Sequence, residues 1–310
     1  MEIVVSINHK ELLYQYVDMG VHYFILGCPY SFYTSYALSI DDIKEITMRY
    51  PQCHFYVALN ALYDQHQMNE IEEFIKALHN CCIHGLLFQD FGILQIVKEL
   101  HYDFDMMYAP ETLNTNSATL NTLMNLGVKS AFLSRVIPLQ EQILIQHEVS
   151  MPLMLQVHGV EYIAASKRKL LTNYKEASQV DFDISLEGDL ILKAKDSSYE
   201  FQIYEDEKGT HIFSQTRLYM LDLYNHFHQF DYIYIETFMM SEEEAREVVS
   251  IYSDALKSYQ QGSYERYVKE YMELLYRLKT PLDRGFLFDQ TVYKLEDMRK
   301  MDNEKSESNH

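Results

Sequence analysis

Cysteine is absent beyond residue 82 of this 310-residue chain; Cys28, Cys53, Cys81 and Cys82 are all it has. Their spacing makes neither a CxxC pair nor a zinc-finger pattern. That argues against a disulfide framework and for free buried thiols. Positive charge is scarce as well: 26 Lys and Arg stand against 46 Asp and Glu, a net charge of −20. Phosphate contacts need clustered basic side chains, so unaided nucleic-acid binding is disfavoured, while RNA work beside a basic partner stays open. No apolar run reaches the roughly 18–20 residues of a membrane span. The opening MEIVVSINHK has no basic stretch followed by a long apolar core, so no signal peptide is expected. A soluble cytoplasmic protein without membrane contact is the expectation. An HExxH helix and a GxSxG elbow are missing too. His226 and His228 lack the i, i+4 spacing that pairs two ligands on one helical face, and no metal site is expected.

What the chain does have is a rhythm. It is 47% hydrophobic, and short apolar runs alternate with amphipathic stretches. EIVVSI (2–7), HYFILG (22–27), HFYVALN (54–60), GLLFQD (85–90), FDMMYAP (104–110), SAFLS (130–134) and MPLMLQVHG (151–159) read as strands. Six of them lead into helical patterns, including 39–50 with Ser39 as cap. The runs are apolar throughout rather than alternating, as strands buried on both faces should be. An eighth strand, DYIYIE (231–236), precedes a helix opened by Ser241 and Glu244 in a capping-box pattern. Eight strand–helix steps favour a TIM-type (β/α)8 barrel, with a doubly wound sheet as the alternative.

The rhythm breaks between strands 7 and 8. DFDISLEGDLILKAKD (181–196) and YEFQIYEDEKGTHIFS (199–214) read as two hairpins, with turns at Glu187 and Gly188 and at Lys208 and Gly209. They form a β-hairpin insertion, 176–215, within a barrel domain spanning 1–262. TRLYMLDLYNHFHQF (216–230) reads as the seventh helix. A long helical stretch over 242–278, broken near Gly262, leads into a C-terminal helical extension, 263–297. The polar tail, 298–310, is expected to be disordered.

A barrel of this type places its chemistry at the C-terminal ends of its strands. Those positions carry Asn8, Cys28, Asn60, Gln89, Asp90, Glu111, Ser134, Arg135, His158 and Glu236. Asn60, Gln89, Asp90, Ser134, Arg135, His158 and Glu236 are the ligand-binding candidates, for a small polar or anionic molecule. Asp90, Arg135, His158 and Glu236 are the catalytic candidates, since a lone charge after a buried strand tends to be paired or to face a cleft. In QVHGVEYIAASKRKLLTNY (156–174) the strand ends in a segment that looks like an active-site turn. Its trio Lys167, Arg168 and Lys169 is the densest positive cluster of the chain. It can meet RNA or an anion, or simply form a solvated helix face.

LLFQDFG (86–92), FLSR (132–135), YEDEKGTHIFS (204–214), DYIYIE (231–236) and DRGF (283–286) together resemble the motifs of the U32 peptidase-like, or collagenase-like, family. The match spans most of the chain. The stretch at 156–174 falls on that family's signature, with Gly159 on its glycine and Leu171 and Thr172 on its closing apolar and hydroxyl positions. Tyr162 and Lys169 stand where the signature has cysteines, Lys167 replaces a glycine, and Met154 replaces a glutamate. Val136 replaces the usual glutamate after Arg135, and Thr237 and Phe238 replace Gly-Arg after Glu236.

The resemblance implies hydroxylation chemistry on tRNA, ribosomal RNA or a quinone precursor without O2, in some members dependent on prephenate, with a 4Fe–4S cluster on four cysteines. This chain lacks those cysteines and ends where longer members continue. It is similar in this to a short subgroup, resembling the first of two proteins needed for 5-hydroxyuridine at the wobble position of tRNA. That implies a subunit of a tRNA-modification system, beside a longer cysteine-bearing U32 paralogue. The cluster is expected only on that partner, tRNA is met through the complex, and prephenate is a candidate small anionic ligand. Two alternatives remain: a peptidase, for which Cys28 with His158 is the one candidate pair, and a non-catalytic partner that stabilises the paralogue.

Overall fold

The computed structural model describes residues 1–193 and 200–289. The reading of a disordered tail, 298–310, lies outside the described residues, as does the last part of the helical extension.

Seven strands follow one another around a ring: β1 (Glu2–Ile7), β2 (Tyr23–Leu26), β3 (His54–Leu59), β4 (Gly85–Phe88), β5 (Asp105–Tyr108), β6 (Ser130–Phe132) and β7 (Leu153–Ser166). The chain then makes an excursion through β8 (Leu190–Lys193), β9 (Glu200–Asp206) and β10 (Gly209–Tyr219) before it returns as β11 (Tyr232–Ile235). β11 pairs in parallel with both β1 and β7, which closes an eight-stranded parallel barrel. This is the expected TIM-type architecture. A two-residue strand, β12 (Leu282–Asp283), joins the edge of β10.

The unbroken apolarity of the strands has the expected cause. Along β1, Ile3, Val5 and Ile7 belong to the core beneath the helices, while Val4 faces the lumen. Ile25, Leu87, Met107, Phe132, Met154 and Tyr234 meet Val4 there and fill the barrel. Each such side chain contributes about 1.5–3 kcal/mol relative to exposure. The barrel is therefore solid below its C-terminal mouth.

The outer layer is α1 (Leu13–Asp18), α2 (Ile40–Arg49), α3 (Met68–Leu78), α4 (Phe91–Glu99), α5 (Ser117–Asn125) and α6 (Leu139–Glu148). Ser39 caps α2, as expected, and does so in a full capping box with Asp42. After β7 come α7 (Leu170–Ser178) and the single turn α8 (Tyr224–Phe227). α9 (Glu242–Gln260), capped by Ser241, follows β11, and α10 (Tyr264–Arg277) packs against it. Between them Gly262 sits at φ +69°, in the left-handed region where glycine is favoured, and breaks the long helical stretch where expected.

The structure departs from the sequence reading around β7. The strand does not stop at His158. It runs on to Ser166 and forms an antiparallel ribbon with β10 above the barrel rim. The stretch at 156–174 is thus a strand followed by α7, not a turn. For the same reason 216–230 is not a seventh helix. Arg217, Leu218 and Tyr219 pair with Val160, Gly159 and His158, and only a 3-10 turn and α8 remain of the predicted helix. The Tyr252 hydroxyl of α9 donates to Val157 O, 2.9 Å, and accepts from Met220 N, 3.2 Å, and so fixes the junction. The first predicted hairpin is also different. Leu186–Gly188 is a 3-10 turn, and β8 pairs with β9, so the insertion is a meander of β8, β9 and β10.

Candidate functional site

The barrel mouth gathers polar side chains at the inward positions of the strand ends, in two linked groups. In the first, Arg135 follows β6 and its Nη1 donates to Glu111 Oε2 at 2.7 Å. Its Nε donates to Gln156 Oε1 of β7, and its guanidinium lies 4.5 Å from the centre of the Phe132 ring. Asn60 Nδ2, after β3, donates to the other Glu111 oxygen at 3.0 Å, and Gln89 Nε2 donates to the Asn60 carbonyl. In the second, Glu236 follows β11. Its Oε1 accepts from Ser6 Oγ at 2.6 Å and Phe238 N at 2.8 Å, and its Oε2 accepts from Tyr234 Oη at 2.7 Å. Asn8 Nδ2 donates to Thr237 Oγ1 at 3.2 Å, which ties β1 to the same corner.

Gln89 apart, which is half-buried, these side chains are buried: Arg135 is 8% exposed, Glu111 6% and Glu236 2%. Burial raises the Glu111 pKa above the ordinary carboxylate range, against the pull of Arg135 and Asn60. Burial works against the Arg135 charge, but Glu111 together with Tyr33, Tyr234 and Glu236 outweighs it, and the guanidinium is held protonated more firmly than usual. The Tyr33 and Tyr234 hydroxyls are pushed far up, by burial first and by the neighbouring carboxylates second.

Tyr33 comes from the loop after β2 and closes the mouth. Its ring stacks on Tyr162 of β7, with centroids 6.0 Å apart and planes 10° apart, and meets Phe213 of β10 edge-on at 5.0 Å. Phe32, Tyr204 and Phe238 complete this aromatic plug. The cavity left beneath it is about 40 Å³, lined by Ser6, Asn8, Asn60, Glu111, Arg135 and Glu236 among others. A few waters fit such a volume.

Of the sequence candidates, Asn60, Gln89, Arg135 and Glu236 come together here. Ser134 is buried beside them, its Oγ 3.4 Å from Val136 N. Asp90 does not join them: its carboxylate caps α4, accepting from Gly92 N at 2.7 Å. His158 points the other way, into the helix layer, with its ring 5.4 Å from that of Tyr252 on α9. Burial, with Arg217 assisting, pushes its pKa down to about 3. Lys167 pairs with Asp64 at 2.5 Å, Lys169 donates to the Asp206 carbonyl, and Arg168 is exposed. The trio therefore does not present three free charges. Gln156, Tyr33, Ser6 and Tyr234 were missed. Gln156 had a signal: it lies two residues past the lumen-facing Met154 and so shares its face.

The donor set does not fit an iron–sulfur cluster, which wants four thiolates. Tyr162 is packed into the aromatic plug and Lys169 is tied to β9. Cys28, Cys53 and Cys81 are buried at separate places and Cys82 is exposed. No group of three or more His, Cys, Asp or Glu among the described residues could hold a metal ion. Nor do Cys28 and His158 form a nucleophile and base. The Cys28 thiol donates to Ala58 O at 3.2 Å and is pushed up to about 11 by burial, and His158 faces the helix layer.

A family model described as peptidase family U32 matches residues 30–297. The curated protein "tRNA hydroxylation protein P2" of Bacillus subtilis (strain 168) is 27% identical over 248 residues, 77% of this chain and 80% of that protein. It carries the number two where the sequence resemblance pointed to the first of a pair. Among solved structures, the U32 peptidase Mk0906 aligns with a TM-score of 0.47 and 9% identity over 76% of this chain and 92% of that one. A 2,3-dimethylmalate lyase aligns with a TM-score of 0.40 and 9% identity over 51% and 67%. The fold assignment rests on the strand pairing described above.

Proposed function

The chain belongs to peptidase family U32, and from that premise we propose that it is a subunit of a tRNA-hydroxylation system rather than a peptidase. The name of its Bacillus relative supports the tRNA-hydroxylation part of this reading. The observation that carries it is the buried set of Glu111, Arg135 and Gln156 under the aromatic plug: a preformed polar site for a small molecule, while Cys28 and His158, the candidate peptidase pair, do not meet.

In this reading the system forms 5-hydroxyuridine at the tRNA wobble position without O2. A longer U32 paralogue supplies the 4Fe–4S cluster, and this chain's mouth holds a small anion, with prephenate the leading candidate. Arg135 is the group that would orient a ligand carboxylate. The mouth already holds two carboxylates to one guanidinium. An incoming anion is therefore accommodated most easily with a proton on Glu111, whose pKa burial has raised. Tyr33 must swing out to admit anything larger than water.

Deleting the gene in its native cell and profiling tRNA nucleosides by mass spectrometry tests the role. Loss of 5-hydroxyuridine is expected, and an unchanged level overturns the reading. Complementation with Arg135→Gln separates a working mouth from scaffolding: a complex that forms but fails to restore the modification places the activity's dependence in the mouth.

A further inference from the structure

Glu161 is a buried carboxylate that the barrel mouth does not use. It lies on β7 between Val160 and Tyr162, and its side chain faces away from the aromatic plug that Tyr162 joins. It is 3% exposed. Its backbone N–H donates to Ser214 Oγ at 2.8 Å. Among the described residues no group donates a hydrogen bond to its carboxylate and no cation pairs with it. The carboxylate borders a separate cavity of about 140 Å³, between the ribbon of β9 and β10 and the segment after β12.

The remaining walls mix acidic, neutral polar and aromatic side chains, with no cationic side chain among them. Asp283 and Glu200 add two carboxylates, the latter already held by Lys193 at 2.6 Å. Thr216 adds a hydroxyl, and Phe201 and Phe286 add rings. Gly285, at φ +51°, brings its backbone so close to Glu161 that a Cβ there would overlap the carboxylate oxygens. A buried, unpaired carboxylate is expensive unless it is protonated or given a cation. Burial has pushed Glu161 up to about 7, with Arg135 lowering and Asp283 raising it further. At neutral pH the group can give its proton to solvent as a cationic guest arrives, leaving a carboxylate to pair with the guest's charge. The donors do not make a metal site, while acidic oxygens beside aromatic faces suit an organic cation, whose charge both stabilise.

We propose that this cavity binds an alkylammonium or guanidinium group, with Glu161 as its counter-ion. The inference is independent of the role assigned to the mouth. Isothermal titration at pH 8 with agmatine tests it, alongside butylurea, which keeps a butyl chain and a planar head but carries no charge, and a blocked arginine tripeptide. Saturable binding of agmatine or of the tripeptide is expected, with the butylurea affinity at least tenfold weaker. Tighter binding of agmatine identifies a free small amine as the guest, and tighter binding of the tripeptide a protein side chain. Glu161→Gln, checked for folding by its thermal melt, should lose the cation at least tenfold. Equal affinity for butylurea, undiminished binding by Glu161→Gln, or no saturable binding of either cation overturns the proposal. The butylurea comparison needs only the unaltered protein.

Discussion

Arg135 and Glu111 show how much stability can depend on one buried ion pair. Removing the cation alone leaves Glu111 in a low-dielectric site with Asn60 as its remaining donor. Arg135→Ala should therefore lower unfolding stability by about 3–5 kcal/mol in urea titration, and replacing both partners with leucine should cost less. His158 makes a second prediction, with its sign set by a depressed pKa. The folded protein keeps the ring neutral down to about 3, while the unfolded chain takes up a proton near 6.5. Its contribution is complete above pH 6.5 and is lost as pH falls towards 3, by at most about 5 kcal/mol. Urea midpoints at pH 7 and pH 4.5 should differ less in His158→Gln than in the unaltered protein. Glu161, raised to about 7, acts in the opposite sense: its favourable share is present below the unfolded carboxylate range and fades as pH rises through 7. At this scale the sequence was informative where a charge directly followed a buried strand, as for Arg135 and Glu236. It was silent on Tyr33, which reaches the mouth only through the fold of a loop.

β7 is the element that decides the site's shape. Its lower half pairs with β6 and β11 in the barrel, and its upper half pairs with β10 in the ribbon. The transition falls at Gly159, where φ is +108° and a Cβ would overlap the Glu236 carbonyl oxygen. Gly159→Ala should cost about 1–3 kcal/mol of stability by thermal melt, through a backbone conformation that alanine adopts poorly. The barrel strands were legible because each is buried on both faces and reads as a short apolar run. The ribbon was not. In 216–230, Leu218, Leu221 and Tyr224 recur at helical spacing, and all three are buried. Yet residues 217–219 are held extended by their partners on β7, far away in sequence. Periodicity reports which residues are buried, and here long-range pairing settled the backbone. Asp90 was misread for a related reason: an acidic residue opening a helix after a strand looks the same as one aimed into a cleft, and only the bond to Gly92 N tells them apart.

For the molecule as a whole, the charge of −20 sets how RNA can be approached. Lys167 and Lys169 are engaged within the chain, so the isolated protein should give no tRNA gel shift at about 0.15 M salt, where long-range attraction is already screened. If the proposed pairing with a U32 paralogue holds, that complex should give one; a shift by this chain alone would move the RNA contact onto it. The barrel itself was readable from the count of strand–helix steps, but the plug of Phe32, Tyr33, Tyr162, Tyr204, Phe213 and Phe238 was not, because it draws on five separate stretches of chain. That plug bears on binding equilibria. With about 40 Å³ beneath it, the mouth in this conformation has room for water only, so a larger solute requires a form in which Tyr33 stands aside. Measured affinity is then intrinsic affinity multiplied by the fraction of time the mouth stands open. Whatever holds Tyr33 aside, a docked subunit included, would tighten binding without touching the solute at all.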